Sequence, residues 1–383
     1  MPSSAGKPSN IKKKPDFESK KSGFLICIDK INNFLLILSY VPLKEKLFFV
    51  QYLEIMLKAG ISLLVSLRTL AKQTENKYFS KIINDVADSV EKGTSFAESL
   101  KPYEKVFGEL FINMIDAGEL SGKLEEVLGR IYIQTKKHHE LLSKVKGALT
   151  YPVAVILVMI VIAIFMMTMV MPQLTAMLME FDVELPLPTK ILITASNITT
   201  NHGVLVLIAL VAIFLLIIKI LRTYKGKYYF QAVILKTPII SPIIKKINLA
   251  RFARTTSSLL KTDIMITKTF EITAKTLGNL HYRKAINEMS SQITKGKQIN
   301  EIISAYPKLF PPIVNQIIFI GEQTGELDNI LTELAEFYET EVNKVMDNLP
   351  SIIEPVLILI LGCGAAIIAL AIMMPMYTLT EAI

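Results

Sequence analysis

Two cysteines and four histidines are all that the 383-residue chain contains of those types, with 17 glycines and 17 prolines. Each scarcity excludes a class of protein. Cys27 and Cys363 lie too far apart in sequence to suggest a disulfide scaffold, and the second falls in an apolar run; both are expected reduced. Neither has a base beside it, so a catalytic thiol has no support. His138 and His139 are adjacent, about 100° apart on a helix, and cannot share one ion from the same face. They read as solvated helix residues. His202 and His281 belong to different segments, and no Ser–His–Asp arrangement of acyl transfer is present. Catalytic residues, metal ligands and a bound cofactor are all expected to be none. Modest Gly and Pro with abundant Leu and Ile exclude collagen-like and disordered chains. Residues 1–22, rich in Ser, Pro, Gly and Lys, lack the apolar core and cleavage site of a secretory signal and read as a solvated basic tail.

What the chain has in excess is apolar surface. Hydrophobic residues make up 51% without counting glycine and mean hydropathy is +0.43, above what soluble globular chains carry. Three segments qualify as membrane spans: Val153–Met171, Val204–Ile218 and Val356–Met374. The first, at 1.5 Å per residue, covers roughly 28 Å of a ~30 Å hydrocarbon layer. The second is short, but Lys219 and Arg222 can snorkel to extend it. None carries a charge at its middle, which disfavours an ion or proton pathway. Glu354 reads as a snorkelling carboxylate at the membrane edge. Phe24–Val41 is rejected as a span, because Asp29, Lys30, Asn32 and Asn33 sit inside it. Its apolar residues share one helical face instead, predicting an amphipathic helix.

Basic residues give the orientation. Lys136, Lys137, Lys144 and Lys146 precede the first span, acids at 180, 182 and 184 follow it, and Lys219, Arg222, Lys225 and Lys227 follow the second. The positive-inside rule then places the N-terminus and the 219–350 region in the cytoplasm and residues 172–203 outside, and the parity of three spans puts the C-terminal tail outside. The net charge of +8 is absorbed by this topology, and no nucleic-acid partner is expected.

A fixed-offset repeat is the most informative feature. Gly118-Glu119-Leu120-Ser121-Gly122-Lys123-Leu124 returns as Gly321-Glu322-Gln323-Thr324-Gly325-Glu326-Leu327, an offset of 321 − 118 = 203. The same register pairs Leu57-Lys58 with Leu260-Lys261, Phe107 with Phe310, Pro152-Val153 with Pro355-Val356, and Met171-Pro172 with Met374-Pro375. A period this long is a duplicated domain with its following span, and the unpaired second span returns the chain to the first side. Inside each copy the apolar spacing is helical and strand-like alternation is scarce. The expected fold is therefore all-α: two homologous cytoplasmic helical-bundle domains plus three transmembrane helices. The divisions are a disordered basic tail and amphipathic helix (1–43), a first helical domain (44–150), a span (151–172) and an extracytoplasmic loop (173–202). A second span (203–222), a second helical domain (223–353), a third span (354–376) and an extracytoplasmic tail (377–383) complete the chain.

The glycine-bounded stretch is no phosphate loop. Only three residues separate Gly118 from Gly122, Leu124 stands where Ser or Thr would hold magnesium, and Glu326 takes the lysine position in the second copy. As structure it makes better sense. Gly118 and Gly321 are expected to end one helix in a left-handed conformation, and Ser121 and Thr324 to N-cap the next. Acids at 125 and 126, or 326 and 328, suit that helix's dipole. Glu119 and Glu322 are left for a partner or a buried arginine, and the turns including Gly122 and Gly325 become candidate partner contacts. In the third span Gly362, Gly364, Ala365, Ala366 and Ala369 predict close helix packing, Gly362 and Ala366 foremost, against another span or a second copy.

These residues carry a resemblance. Two helical copies with a Gly-Glu-x-[Ser/Thr]-Gly-x-Leu turn, the Leu57-Lys58-Ala59-Gly60-Ile61 stretch, Tyr151-Pro152 before the first span and Met-Pro closing the first and third resemble the type II secretion system F family. The likeness spans roughly residues 44–378, departing where Asp263 replaces the glycine found at Gly60 and in its short N-terminal region. The resemblance implies a non-enzymatic, multi-pass platform in the bacterial inner membrane, homodimeric or larger, serving type IV pili or type II secretion. It implies as partners a cytoplasmic hexameric ATPase, pilin or pseudopilin subunits, other inner-membrane assembly proteins and the lipid bilayer. A transporter or channel subunit, or a motor that itself binds ATP, is the alternative.

Overall fold

The computed structural model describes residues 41–179, 187–238 and 240–382. Among them are helices and no strand. The expected tail and nearly all of the amphipathic helix, with Cys27, lie outside the described residues. The chain divides into two compact units, residues 1–108 and 109–383.

The first unit is built from α1 (Leu43–Lys58), α2 (Leu63–Gln73), α3 (Lys77–Glu91), α4 (Phe96–Leu100) and α5 (Glu104–Phe107), with a 3-10 turn, Lys101–Tyr103, before α5. α3 shows the logic. Phe79, Ile82, Ile83, Val86 and Ala87 recur on one face and are buried, while the Asn76 side chain accepts from the Phe79 N–H at its start. Phe49, Phe79 and Phe107 meet at centroid distances of 5.6–5.8 Å and form the aromatic heart of the unit. The Lys46 ammonium donates to the Val106 carbonyl, and burial holds its pKa below the usual lysine value.

The second unit begins with α6 (Glu109–Leu120) and α7 (Leu124–Phe165), then a π-helical turn (Met166–Val170), α8 (Met171–Met179), α9 (Leu187–Arg222) and α10 (Tyr224–Ile234). It continues with α11 (Ile240–Leu260), α12 (Ile266–Thr276), α13 (Leu280–Ile293), α14 (Ile299–Ser304), α15 (Pro312–Thr324) and α16 (Leu327–Ala382). Its core joins Phe252, Phe270, Tyr282 and Phe310 to Leu331, Ala335 and Val342 of α16. Phe252, Tyr282 and Phe310 are the 203-shifted mates of the first unit's three rings, and Phe310 again stands 5.6 and 5.5 Å from the other two. Past the first helix of each copy, the register holds for paired helix starts. α2 and α12 start at 63 and 266, α3 and α13 at 77 and 280, α6 and α15 at 109 and 312, α7 and α16 at 124 and 327. Asp263, the departure from Gly60, keeps the glycine's geometry: its φ is 57° against 80°.

Three helices are long and apolar enough to cross a membrane, within Leu124–Ala176, Thr189–Arg222 and Leu327–Ala371. Two of them are continuous with the helical domains. α7 runs through residue 150 and α16 through residue 353 without interruption, each carrying a proline of the repeated pair, Pro152 or Pro355. A proline removes one intrahelical hydrogen bond and the helix carries on past it. The segment expected as a loop over 173–202 is helical in its described parts. α8 extends to Met179, and α9 begins at Leu187 and breaks only at His202 (φ −128°, ψ 23°). Its Thr and Ser content reads as loop on hydropathy, yet Thr194, Thr199 and Thr200 bond their hydroxyls back to carbonyls four residues earlier. Ser196 donates to the Met167 carbonyl at 2.7 Å and Thr189 to the Ala371 carbonyl at 2.9 Å, tying this stretch to the first and third apolar helices.

Candidate functional site

The repeated motif is the joint between α6 and α7, and between α15 and α16. Its first glycine does not end a helix. Gly118 is buried within α6 and Gly321 within α15. A Cβ on Gly118 would lie 2.9 Å from the Val127 Cβ, and one on Gly321 would lie 3.2 Å from the Leu327 Cα and 3.3 Å from the Ile330 Cβ. The glycine is there to let the two helices approach. The left-handed residue is the second glycine: Gly122 has φ +69° and Gly325 φ +73°. Lys123 N–H donates to the Gly118 carbonyl (2.9 Å) and Gly122 N–H to that of Glu119 (3.3 Å), which closes a Schellman turn.

The capping expectation also changes. Ser121 Oγ donates back to the Ala117 carbonyl at 2.8 Å, and α7 starts with no side-chain cap. Thr324 Oγ1 donates back to Ile320 at 2.9 Å while accepting the Glu326 N–H at 3.4 Å, so only the second copy retains part of that role. A hydroxyl still held by the preceding turn points away from the helix that follows. Glu322 has an internal use. Its carboxylate accepts from the backbone N–H of Ile299 (2.8 Å) and Asn300 (3.3 Å) and so caps α14. Glu119 holds the matching place in the first copy.

From these joints α7 and α16 descend against α11 along a polar seam that spacing rules gave no reason to expect. Arg254 on α11 grips Glu339 on α16 with two parallel bonds, Nε to Oε1 at 2.8 Å and Nη2 to Oε2 at 2.9 Å, both side chains nearly buried. Lys137 on α7 stands 3.8 Å from the same carboxylate. Gln134 on α7 donates to Thr255 (3.1 Å) and accepts from Ser258 (3.2 Å). Ser257 meets Thr332 at 2.6 Å, Lys246 meets Glu341 at 2.9 Å, and Lys144 lies 3.5 Å from Asp347. The run Arg254-Thr255-Thr256-Ser257-Ser258 looks like a solvated face, but the first four are buried. The available signal was its place in the register, opposite the first-copy residues Gln51-Tyr52-Leu53-Glu54-Ile55.

His138 is half-buried rather than solvated. Burial first, then the positive charges of Arg251 and His139, push its pKa from 6.5 down to about 4. Among the described residues no group of His, Cys, Asp and Glu is arranged to hold a metal ion. Cys363 is exposed, as are Gly362 and Ala366. Among the described residues, a Cβ on Gly362 or Gly364 would meet nothing within 4 Å.

A twice-built helical domain, jointed by glycine turns and continued as apolar rods, defines a duplicated all-helical protein with three helices fit to cross a membrane. The chain belongs to the type II secretion system (T2SS) protein F family, whose family model matches residues 49–172 and again 252–375. The two matches are themselves 203 residues apart. The chain is 34% identical to a type IV pilus assembly protein PilC of Myxococcus xanthus, over 89% of this chain and 81% of that one. It is also 34% identical to the type IV pilus assembly protein PilC of Thermus thermophilus, over 88% and 82%. A type II secretion system protein F of Aeromonas hydrophila is 28% identical over 91% and 90%.

Proposed function

We propose that the chain is the integral membrane platform of a type IV pilus or type II secretion machine. In this role it performs no chemistry of its own. It couples a separate cytoplasmic ATPase to the insertion of pilin or pseudopilin subunits into a filament. The observation that carries the reading is the unbroken run of α7 and α16 from a glycine joint, through the polar seam, into apolar helix. A displacement at either joint then travels along a rigid element instead of being lost in a linker. The names of the relatives, pilus assembly and secretion, support the same service. The helical domains face the cytoplasm, with the C-terminal end of α16 outside, in keeping with the basic residues that flank the first two spans.

The test is deletion and complementation in the native host, paired with pull-down of the neighbouring ATPase by the full-length protein in detergent. Loss of filaments or secretion, with recovery of the ATPase, is expected. Normal filaments and secretion without the gene would overturn the proposal. Reporter fusions after residue 223 and at the C-terminus check the orientation, the first expected active in the cytoplasm and the second outside.

A further inference from the structure

Among the described residues, two apolar faces open to solvent are related by the repeat to an interface already made. One is a groove of about 380 Å³ between α15 and α16, lined by Ile313, Ile317, Ile320, Ile330 and Phe337 among others. The other is the outer face of α1, where Phe48, Tyr52 and Ile55 stand one helical turn apart. Tyr52, Ile55 and Phe337 are 40, 49 and 56% exposed, far more than residues packed in a core.

In the first copy, the equivalent groove between α6 and α7 is not open. Helices α11 and α12 lie on it: Lys275 donates to Glu109 at 2.6 Å, and Gln134 binds Thr255 and Ser258 as described above. Shifted by 203, the helices that fill it become α1 and α2. The contact residues shift as well. Gln134 becomes Phe337, Thr255 becomes Tyr52 and Ser258 becomes Ile55. A hydrogen-bonded polar trio is thus replaced by an apolar trio, on the groove and on the helix together. Exchange on one side alone would strand polar groups against carbon; exchange on both sides preserves a fit. The charge at the joint is altered too. Lys123 stands 4.0 Å from Asp263 in the filled groove, whereas the open groove offers Glu326 and the end of α1 carries Lys58.

We propose that the groove between α15 and α16 receives α1 of a second copy of this chain, with Tyr52 and Ile55 seated against Phe337. Two chains exchange the contact reciprocally and close as a pair. This gives a surface to the self-association that the family resemblance implies only in general terms, and it does not rest on the platform reading.

The experiment uses the full-length chain in membranes. In a background carrying Cys27→Ser and Cys363→Ser, Ile55→Cys and Phe337→Cys are placed on separately tagged chains, co-expressed and oxidised. A disulfide joining the two tags is expected, at roughly ten times the yield obtained when Lys297→Cys replaces the groove cysteine. No mixed-tag product above that control overturns the proposal, and so does a bond that forms only within one chain when both cysteines share it. As a second measurement, Phe337→Gln is expected to weaken association in detergent by about tenfold, the scale of a central aromatic anchor. Its position is exposed, so the unfolding midpoint should hold. Unchanged association in this variant also overturns the proposal.

Discussion

The two glycines of each joint look interchangeable in sequence, and their geometry makes them opposites. Gly118→Ala drives a Cβ to 2.9 Å from Val127, an overpacked contact worth about 1–3 kcal/mol. Gly122→Ala meets no neighbour and costs only the left-handed backbone strain, roughly 1–2 kcal/mol. Thermal unfolding in detergent should therefore rank Gly118→Ala as the more damaging, and Gly118→Val as worse again. Gly122→Asn should be the mildest, since Asn tolerates that φ. The second residue-scale consequence concerns pH. His138 has its pKa lowered from 6.5 to about 4 in the folded chain, so between those values the unfolded chain binds a proton that the folded one refuses. Stability therefore falls as pH drops from about 6.5 towards about 4, and levels off below. Replacing His138 by Gln should flatten the dependence of the unfolding midpoint on pH across that window. An equally steep fall in the variant would place the titrating group elsewhere.

At the scale of elements, the most deeply buried ion pair of the seam between α11 and α16 is Arg254 with Glu339. Among the described residues, Arg254→Ala leaves the nearly buried Glu339 with Lys137 alone, at 3.8 Å, to answer it, and should cost about 2–4 kcal/mol. Glu339→Ala should cost as much, and the double variant less than the sum of the two. Denaturant unfolding of the four proteins checks this. The helices themselves were largely legible. Apolar spacing inside each copy read as helical, and the three apolar stretches were found. The seam was not legible, because Thr255, Thr256 and Ser257 carry no periodic signal that separates a buried hydrogen-bonded face from a wet one. The extension of α9 back to Leu187 was hidden for a related reason: hydroxyls that bond to their own helix look, in sequence, like a loop. The joint was found by repetition, but the left-handed conformation expected of its first glycine belongs to the second. Close approach and positive φ both select glycine, and only coordinates separate them.

For the whole molecule, the duplication is what made the chain readable. One register of 203 residues ordered domains, spans and motif turns before any contact was known, and helix starts past the first of each copy obey it. What it left unread is which faces of each copy are covered, since equal sequences in the two copies meet unequal neighbours. That asymmetry is where Gln134 and Phe337 part company.

The 56 residues of α16 extend to roughly 84 Å at 1.5 Å per residue, and in the coupling proposed above their continuity gives this shaft a definite phase. One alanine inserted after Val342, beyond the seam's main pair, would advance everything past it by about 100° and 1.5 Å. Seven inserted residues return the distal face to within about 20° of its starting azimuth. If the shaft transmits rotation, assembly of filaments in the native host should be lost with one added residue and partly regained with seven. If it acts only as a spacer, damage should instead grow steadily with length. The phase of the response, more than its size, reports what the glycine joint at Gly325 hands on.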